Sequence, residues 1–444
     1  METNQTVGRG RTLFKYVVPT ILSTVSVFLY SIVDGILVGR GVGSDALGAV
    51  NLAFPFVMVY MALTMLTIIG GVTIAAIRIG RNDHEGANAT FIHSFIATMI
   101  VSAIMMLVGL FFTEPVAKLM GAKGVYVDMV KEYLFWYAVF FIPCGCCNSL
   151  LGFCRNDGSP VMVSITTIIG TVFNIVGDYV MIFPLHMGLK GAAIATGVAQ
   201  TLAMLICLTH FAKKKGILRF RREKWDFSLL KKILLRGAPE CVNQFVTPMG
   251  LILTNNMLSL MLGNGEINAF SVIGYAASFA VSVFVGTAEG IQPLLGNRYG
   301  AKDEDSLKYY FHAGLIISFI GAVVLSALIL YFWNPILTLF DVDEATRISA
   351  VFALPRYMSV FIFQSLIVII TSYLYSTTRT KQALTINVLR AFVLDTLAIL
   401  LIPRLFGADS IWFTSPIYEF VALIVAVILL RRADKNGAIG KTAE

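Results

Sequence analysis

The sequence predicts an all-α polytopic membrane protein: twelve transmembrane helices in two pseudo-symmetric six-helix bundles, a parallel 6+6 repeat. Three observations carry this. First, 57% of the 444 residues are hydrophobic and only 14% charged, with a mean hydropathy of +0.79, against about 45–50% and about 25% in soluble domains. Second, the apolar residues fall in runs of roughly 20 or longer, enough to cross a bilayer as helices. Third, the two halves of the chain repeat each other's glycines, prolines and loop charges. The same numbers exclude a disordered chain, a collagen-like repeat and a disulfide scaffold. The six cysteines, Cys144, Cys146, Cys147, Cys154, Cys207 and Cys241, lie in or at the ends of apolar runs and read as small buried side chains. No histidine accompanies the CGCC stretch, as a metal site there would need.

Taken in order, the runs place spans at about residues 13–36, 46–77, 90–112, 130–153, 160–183 and 189–211. The second half follows with 233–262, 268–296, 309–333, 349–375, 383–405 and 408–430. The first dozen residues are polar and show no signal-peptide pattern. Several runs exceed the minimum length, so tilt or kinking is expected, for instance at Pro55 or Gly70-Gly71. The implied organisation is an N-terminal lobe over 1–211, a cytoplasmic basic linker over 212–232, a C-terminal lobe over 233–430 and a cytoplasmic tail over 431–444. Twelve spans put both termini on one side. Of the 34 Lys and Arg, 25 then fall on that side, seven on the other, and Arg356 and Arg390 within spans. Positive charge marks the cytoplasmic face, so both ends are expected there, in a multi-pass protein of the plasma (inner) membrane. The linker's charge is a topology signal and an anionic-lipid contact rather than a nucleic-acid site.

A shift of 220 positions superimposes the halves without a gap. Pro19 falls on Pro239, Gly43 on Gly263, Gly70 on Gly290, Arg78 on Arg298, Gly80 on Gly300, Asp83 on Asp303 and Pro115 on Pro335. A shift of 219 later aligns Pro184 with Pro403 and Gly188 with Gly407. Six spans per copy, an even number, give the copies one orientation and a pseudo-axis along the membrane normal. Such folds bind substrate near the midplane between bundles. This is transporter architecture.

Asp34 to Gly39 (DGILVG), Gly80 to Asp83 after span 2, Gly237-Ala238-Pro239 at the start of span 7, and Gly290-Ile291-Gln292-Pro293 leading to Gly300 together resemble the multidrug and toxic compound extrusion (MATE) family. The resemblance covers essentially the whole chain. It is closer to the branch related to DNA-damage-inducible protein F, with a polar cluster in the N-terminal lobe. It departs from the other bacterial branch in lacking a carboxylate deep in span 7, where Asn255 and Asn256 stand.

Carboxylates inside spanning helices are expensive and tend to be functional. Asp34 sits late in span 1. Asn174 and Asp178, four residues apart, share one face of span 5. With the hydroxyl of Thr196 in span 6 they make an oxygen-rich set for Na+ or a proton, and in the resembled family the matching positions carry the coupling cation. If the ion is Na+, Asp34 and Asp178 are its charged ligands. The plainer alternative is that each Asp bonds a hydroxyl or amide and only stabilises packing. Glu289 and Gln292 in span 8, with Tyr30 and Tyr275, are candidate contacts for a cationic substrate. Glu240 reads as a helix-dipole partner, and Arg390, Asp395 and Glu419 as polar bonds within or between helices.

The expected function is secondary active efflux of organic, often cationic and amphipathic, xenobiotics in antiport with H+ or Na+. No cofactor beyond the coupling ion, no nucleic acid and no obligate protein partner are expected, and the chain reads as monomeric among membrane lipids. A flippase or exporter for a lipid-linked saccharide or endogenous metabolite is the alternative, though it lacks its usual extra spans and strongly cationic cavity. An integral-membrane enzyme is weaker still. No His cluster, nucleophile or phosphate-binding G-x-x-x-x-G-K-[ST] loop is present.

Overall fold

A computed structural model describes residues 2–261, 264–339 and 344–435. The last nine residues of the expected tail, 436–444, Leu262 at the end of the expected seventh span, and Gly263 of the repeat lie outside them. The chain divides into two compact units, Phe14–Cys241 and Val242–Glu444 with Met1–Leu13.

The first unit holds α1 (Glu2–Gly41, from Phe14 on), α2 (Ser44–Gly80), α3 (His84–Phe111), the short α4 (Thr113–Leu119), α5 (Val125–Val139), α6 (Phe141–Asn156), α7 (Pro160–Ile182), α8 (Gly188–Ala212) and most of α9 (Phe227–Asn243). The second holds α10 (Val246–Met261), α11 (Asn264–Gly300), α12 (Glu304–Tyr331), the short α13 (Trp333–Leu339), α14 (Glu344–Tyr357), α15 (Ser359–Ser376), α16 (Thr380–Val388), α17 (Asp395–Phe406) and α18 (Thr414–Lys435). A π-helical stretch, Leu389–Leu394, joins α16 to α17, and a 3-10 turn, Ala408–Phe413, precedes α18.

Ten helices among the described residues are long and apolar enough to cross a membrane, and the bent pair α5–α6 makes an eleventh. The seventh expected span is instead broken between α9 and α10, each shorter than a full crossing. Proline explains both interruptions. Pro248 clashes with a helical carbonyl at Gln244, where the break falls, and Pro143 does the same at Val139, the last residue of α5. The bend at α5–α6 is 51°, and the Tyr60 hydroxyl donates to the Phe141 carbonyl beside it at 2.7 Å.

The helices are polar inside and greasy outside. On α3, Ile96, Ile100, Ile104, Leu107 and Phe111 form one exposed stripe at helical spacing. On α7, Ile165, Ile169, Val172, Val176 and Tyr179 are exposed, while Ser164, Thr166, Gly170, Asn174 and Asp178 are buried. Soluble monomers do not expose apolar surface on this scale; small and polar residues at helix contacts belong to packing in lipid.

The repeat survives in three dimensions. α2, α3 and α4 match α11, α12 and α13 residue for residue at the 220 shift. The turn between the long helices is the same turn twice. Asn82 and Lys302 both adopt the left-handed conformation, with φ of 59° and 58°. Asp83 then accepts from the Gly86 N–H at 2.8 Å, and Asp303 from the Ser306 N–H at 3.0 Å. Each is an N-cap that satisfies an orphan donor of the following helix.

The Gly70-Gly71 pair makes room rather than a break, for α2 runs through it. A methyl at Gly70 would lie 2.0 Å from the Ile233 carbonyl oxygen, and one at Gly237 would lie 1.8 Å from that of Leu66. α2 and α9 therefore cross at backbone contact. The basic linker is held in place as well. Asn88 accepts from the Arg219 N–H at 2.6 Å, Asp157 from the Ile217 N–H at 2.6 Å, and His93 from the Asp226 N–H at 2.8 Å. Asp226 caps α9 through the Ser228 N–H, so the helix begins at Phe227 and Lys231 and Lys232 ride on it.

Candidate functional site: an acid pair in the first unit

Asp34 and Asp178, 144 positions apart in sequence, come together within the unit Phe14–Cys241. α7 and α8 are drawn close because residue 177 is glycine: a Cβ there would already stand 3.1 Å from that of Ala195. This brings Asn174 against Thr196, and the amide nitrogen donates to the hydroxyl oxygen at 3.1 Å. The Asn174 carbonyl oxygen is left without a partner, as are both oxygens of Asp178 and Oδ1 of Asp34. Asn174 is 3% exposed and Asp178 0%. Asp34, on α1, is half-buried and within interaction distance of Asp178. The end of α1 meets the end of α7, where a methyl at Gly41 would run into Ile182 and Phe183.

The site thus presents four buried oxygen acceptors and, among the described residues, no positive side chain hydrogen-bonded to them. All its donor atoms to a cation are hard oxygens, a set that suits a proton or a small hard cation and not a soft metal. Burial of unpartnered acceptors is uncommon and calls for a reason.

Two tyrosines close on the acids. Tyr30, placed in sequence among the substrate contacts, stands one turn before Asp34 on α1 and within electrostatic reach of both carboxylates. Tyr133 of α5 is also in reach of Asp34, Asp178 and Tyr30. Sequence reasoning missed it, since one tyrosine near the start of an apolar run carries no distinguishing signal.

The other expected substrate residues belong to the second unit, on α11, which continues unbroken through Gly290 and Pro293. Gln292 is buried at 3% exposure and Glu289 is half-buried three residues before it. Tyr275 lies 14 residues from Glu289, about 21 Å along a helix, so these two do not contribute to one small site. Arg390 pairs with Glu419 of α18 and not with Asp395. Five of the six cysteines are buried, and all six are free thiols.

The MatE family profile matches residues 19–180 and again residues 239–399. The chain belongs to the MatE family. The two matched stretches begin 220 positions apart and end 219 apart, the register of the internal repeat, and the family is one of transporters. Among curated proteins, the chain is 23% identical to the multidrug export protein MepA of Staphylococcus saprophyticus, over 94% of this chain and 92% of that one. It is 26% identical to the probable multidrug resistance protein YoeA of Bacillus subtilis, over 78% and 76%. Among solved structures it resembles an outward-facing multidrug resistance MATE transporter with a TM-score of 0.91, 22% identity and 96% of each chain covered. A variant of the Vibrio cholerae MATE transporter VcmN matches with a TM-score of 0.91 at 18% identity, over 98% of each chain. These structural likenesses establish that the MatE chain has the MATE fold.

Proposed function

We propose that this MatE protein is a secondary active multidrug efflux transporter of the plasma (inner) membrane, exporting amphipathic, often cationic, organic compounds in antiport with H+ or Na+. The observation that carries the reading is the set of four unpartnered acceptor oxygens on Asp34, Asn174 and Asp178. The names of the curated relatives, multidrug export and multidrug resistance proteins, support the substrate class. The Asp34–Asp178 cluster in the N-terminal lobe supports affinity with the branch related to DNA-damage-inducible protein F. The protein works as a monomer, with both termini and the basic linker cytoplasmic.

The mechanism follows from where the acids sit. α1 buries Val17, Thr20, Ser23 and Val38, while Asp34 on it is half-buried and most of the apolar side chains between are exposed or half-exposed. With both carboxylates ionised, Asp34 repels Asp178 and α1 is pushed from α7. A proton or Na+ bridging the two removes the repulsion and draws α1 in, aided by the Asn174 carbonyl and the Thr196 hydroxyl. If the drug prefers the separated state and the cation the closed one, each displaces the other. A differential affinity of about 5.5 kcal/mol suffices to invert a 1:99 population.

The test is export from liposomes holding purified protein, under an imposed Na+ or pH gradient. Asp34→Asn and Asp178→Asn should each abolish gradient-driven export with near-normal membrane insertion, since each removes a buried charge. Thr254→Val, at the position matching Asp34 in the other half, should leave coupling largely intact. Antiport at the wild-type rate by Asp34→Asn would overturn the proposal.

A further inference from the structure

The unit Val242–Glu444 buries an acid that this export cycle does not use. Leu389–Leu394 wind as a π-helix between α16 and α17. A π turn bonds residue i to i+5, so Arg390 and Asp395 come to the same face, and such turns are frequent at functional positions. Both residues are 1% exposed. Arg390 is held at two atoms by Glu419 of α18: its Nε donates to Oε2 at 2.9 Å and its Nη2 to Oε1 at 2.5 Å. Asp395 receives no hydrogen bond on either oxygen. Glu419 and Arg390 lie within its electrostatic reach, as do Tyr357 of α14 and Tyr418 of α18. The Arg390–Glu419 pair cancels itself, leaving the group one negative charge in excess, in surroundings that oppose an uncompensated charge.

The question is which cation fits. On the α10 side, a methyl at Gly250 would lie 3.2 Å from Oδ2 of Asp395, so the gap is tight even for one carbon. An organic ammonium does not fit between α10 and the carboxylate on that side. A hard metal ion takes about six oxygens, yet those of Glu419 are occupied, and no three His, Cys, Asp or Glu gather among the described residues. A proton needs neither room nor a coordination shell. We infer that Asp395 is a proton-binding group of the second unit, a second proton carrier separate from the Asp34–Asp178 pair. This goes beyond the export reading and does not depend on it.

Infrared difference spectra of the purified protein across a pH titration test this directly, through the carbonyl band of a protonated carboxylic acid. Asp395→Asn should lose one such band, which Asp34→Asn and Asp178→Asn retain, and should take up about one proton fewer per chain on acidification. Gly250→Ala keeps the acid and crowds Oδ2, so it should shift that band without removing it; this variant decides the matter if Asp395→Asn does not insert. An unchanged band and proton count in Asp395→Asn, or no band shift in Gly250→Ala, would overturn the inference. Because neither readout uses export, failure of the coupling mechanism at Asp34 leaves this result standing, and the reverse holds too.

Discussion

Asp178 is 0% exposed with no hydrogen bond on either oxygen, whereas Glu289 is half-buried on a continuous helix three residues before the buried Gln292. Both are acids within spanning helices, and their surroundings suit different work. Asp178 lies within electrostatic reach of another acid, Asp34, and one turn from the unpartnered carbonyl oxygen of Asn174, the arrangement proposed above to take the coupling ion. Glu289 is the acid that the sequence places among the contacts for a cationic substrate. Glu289→Gln should therefore weaken export of cationic dyes several-fold and leave neutral substrates near the wild-type rate. Equal loss for both classes, measured as dye efflux from the same liposomes, would make Glu289 a fold residue instead. The i,i+4 spacing of Asn174 and Asp178 was legible in the sequence because helical periodicity is local. The presence of Tyr133 beside them was not, because it depends on how α5 packs.

At the scale of the element, the two halves use one device to turn from a long helix into the next. Asp303 caps α12 while Arg298 lies 3.3 Å from its carboxylate. Burial by itself raises the Asp303 carboxyl, but the Ser306 hydroxyl and N–H and the Arg298 charge outweigh that and hold it below the usual carboxylate range. A carboxyl lowered in the folded state stabilises above its unfolded value of about 3.9, and the contribution is lost as pH falls through the folded value. Asp303→Ala should destabilise the protein by about 1 kcal/mol near neutral pH. The gap to wild type, followed by thermal unfolding, should close as the medium is acidified below about pH 4. A gap that stays constant down to that pH would remove the carboxylate from the cap. Asp83→Ala, at the matching cap of α3, should show a comparable loss at neutral pH. Both aspartates were visible in the sequence as one repeated mark after Arg-x-Gly, while the prolines that break span 7 and bend span 4 lay unnoticed within apolar runs.

For the whole molecule, the arrangement across the membrane is argued from charge. Ser228 is exposed at the start of α9, within the basic linker. If the linker is cytoplasmic, a cysteine replacing Ser228 should resist an impermeant thiol reagent in intact cells and react once the membrane is permeabilised. Labelling in intact cells would reverse the orientation. The native cysteines offer a quiet background, as five of the six are buried.

Composition and periodicity by themselves determined that the chain is helical, membrane-embedded and built from two copies of six spans, because hydrophobic length and the 220-residue register are written along the chain. They also singled out the acids, since charge stands out where nearly everything is apolar. Tertiary structure alone decided which of those acids meet. Glycine at 177 lets α7 lie against α8, so Asn174 turns its amide nitrogen to Thr196 and leaves its carbonyl oxygen buried without a partner. Arg390 is five residues from Asp395 in sequence, yet it bonds Glu419 on another helix and leaves Asp395 unpartnered. Such choices depend on distances between helices, which no local pattern encodes.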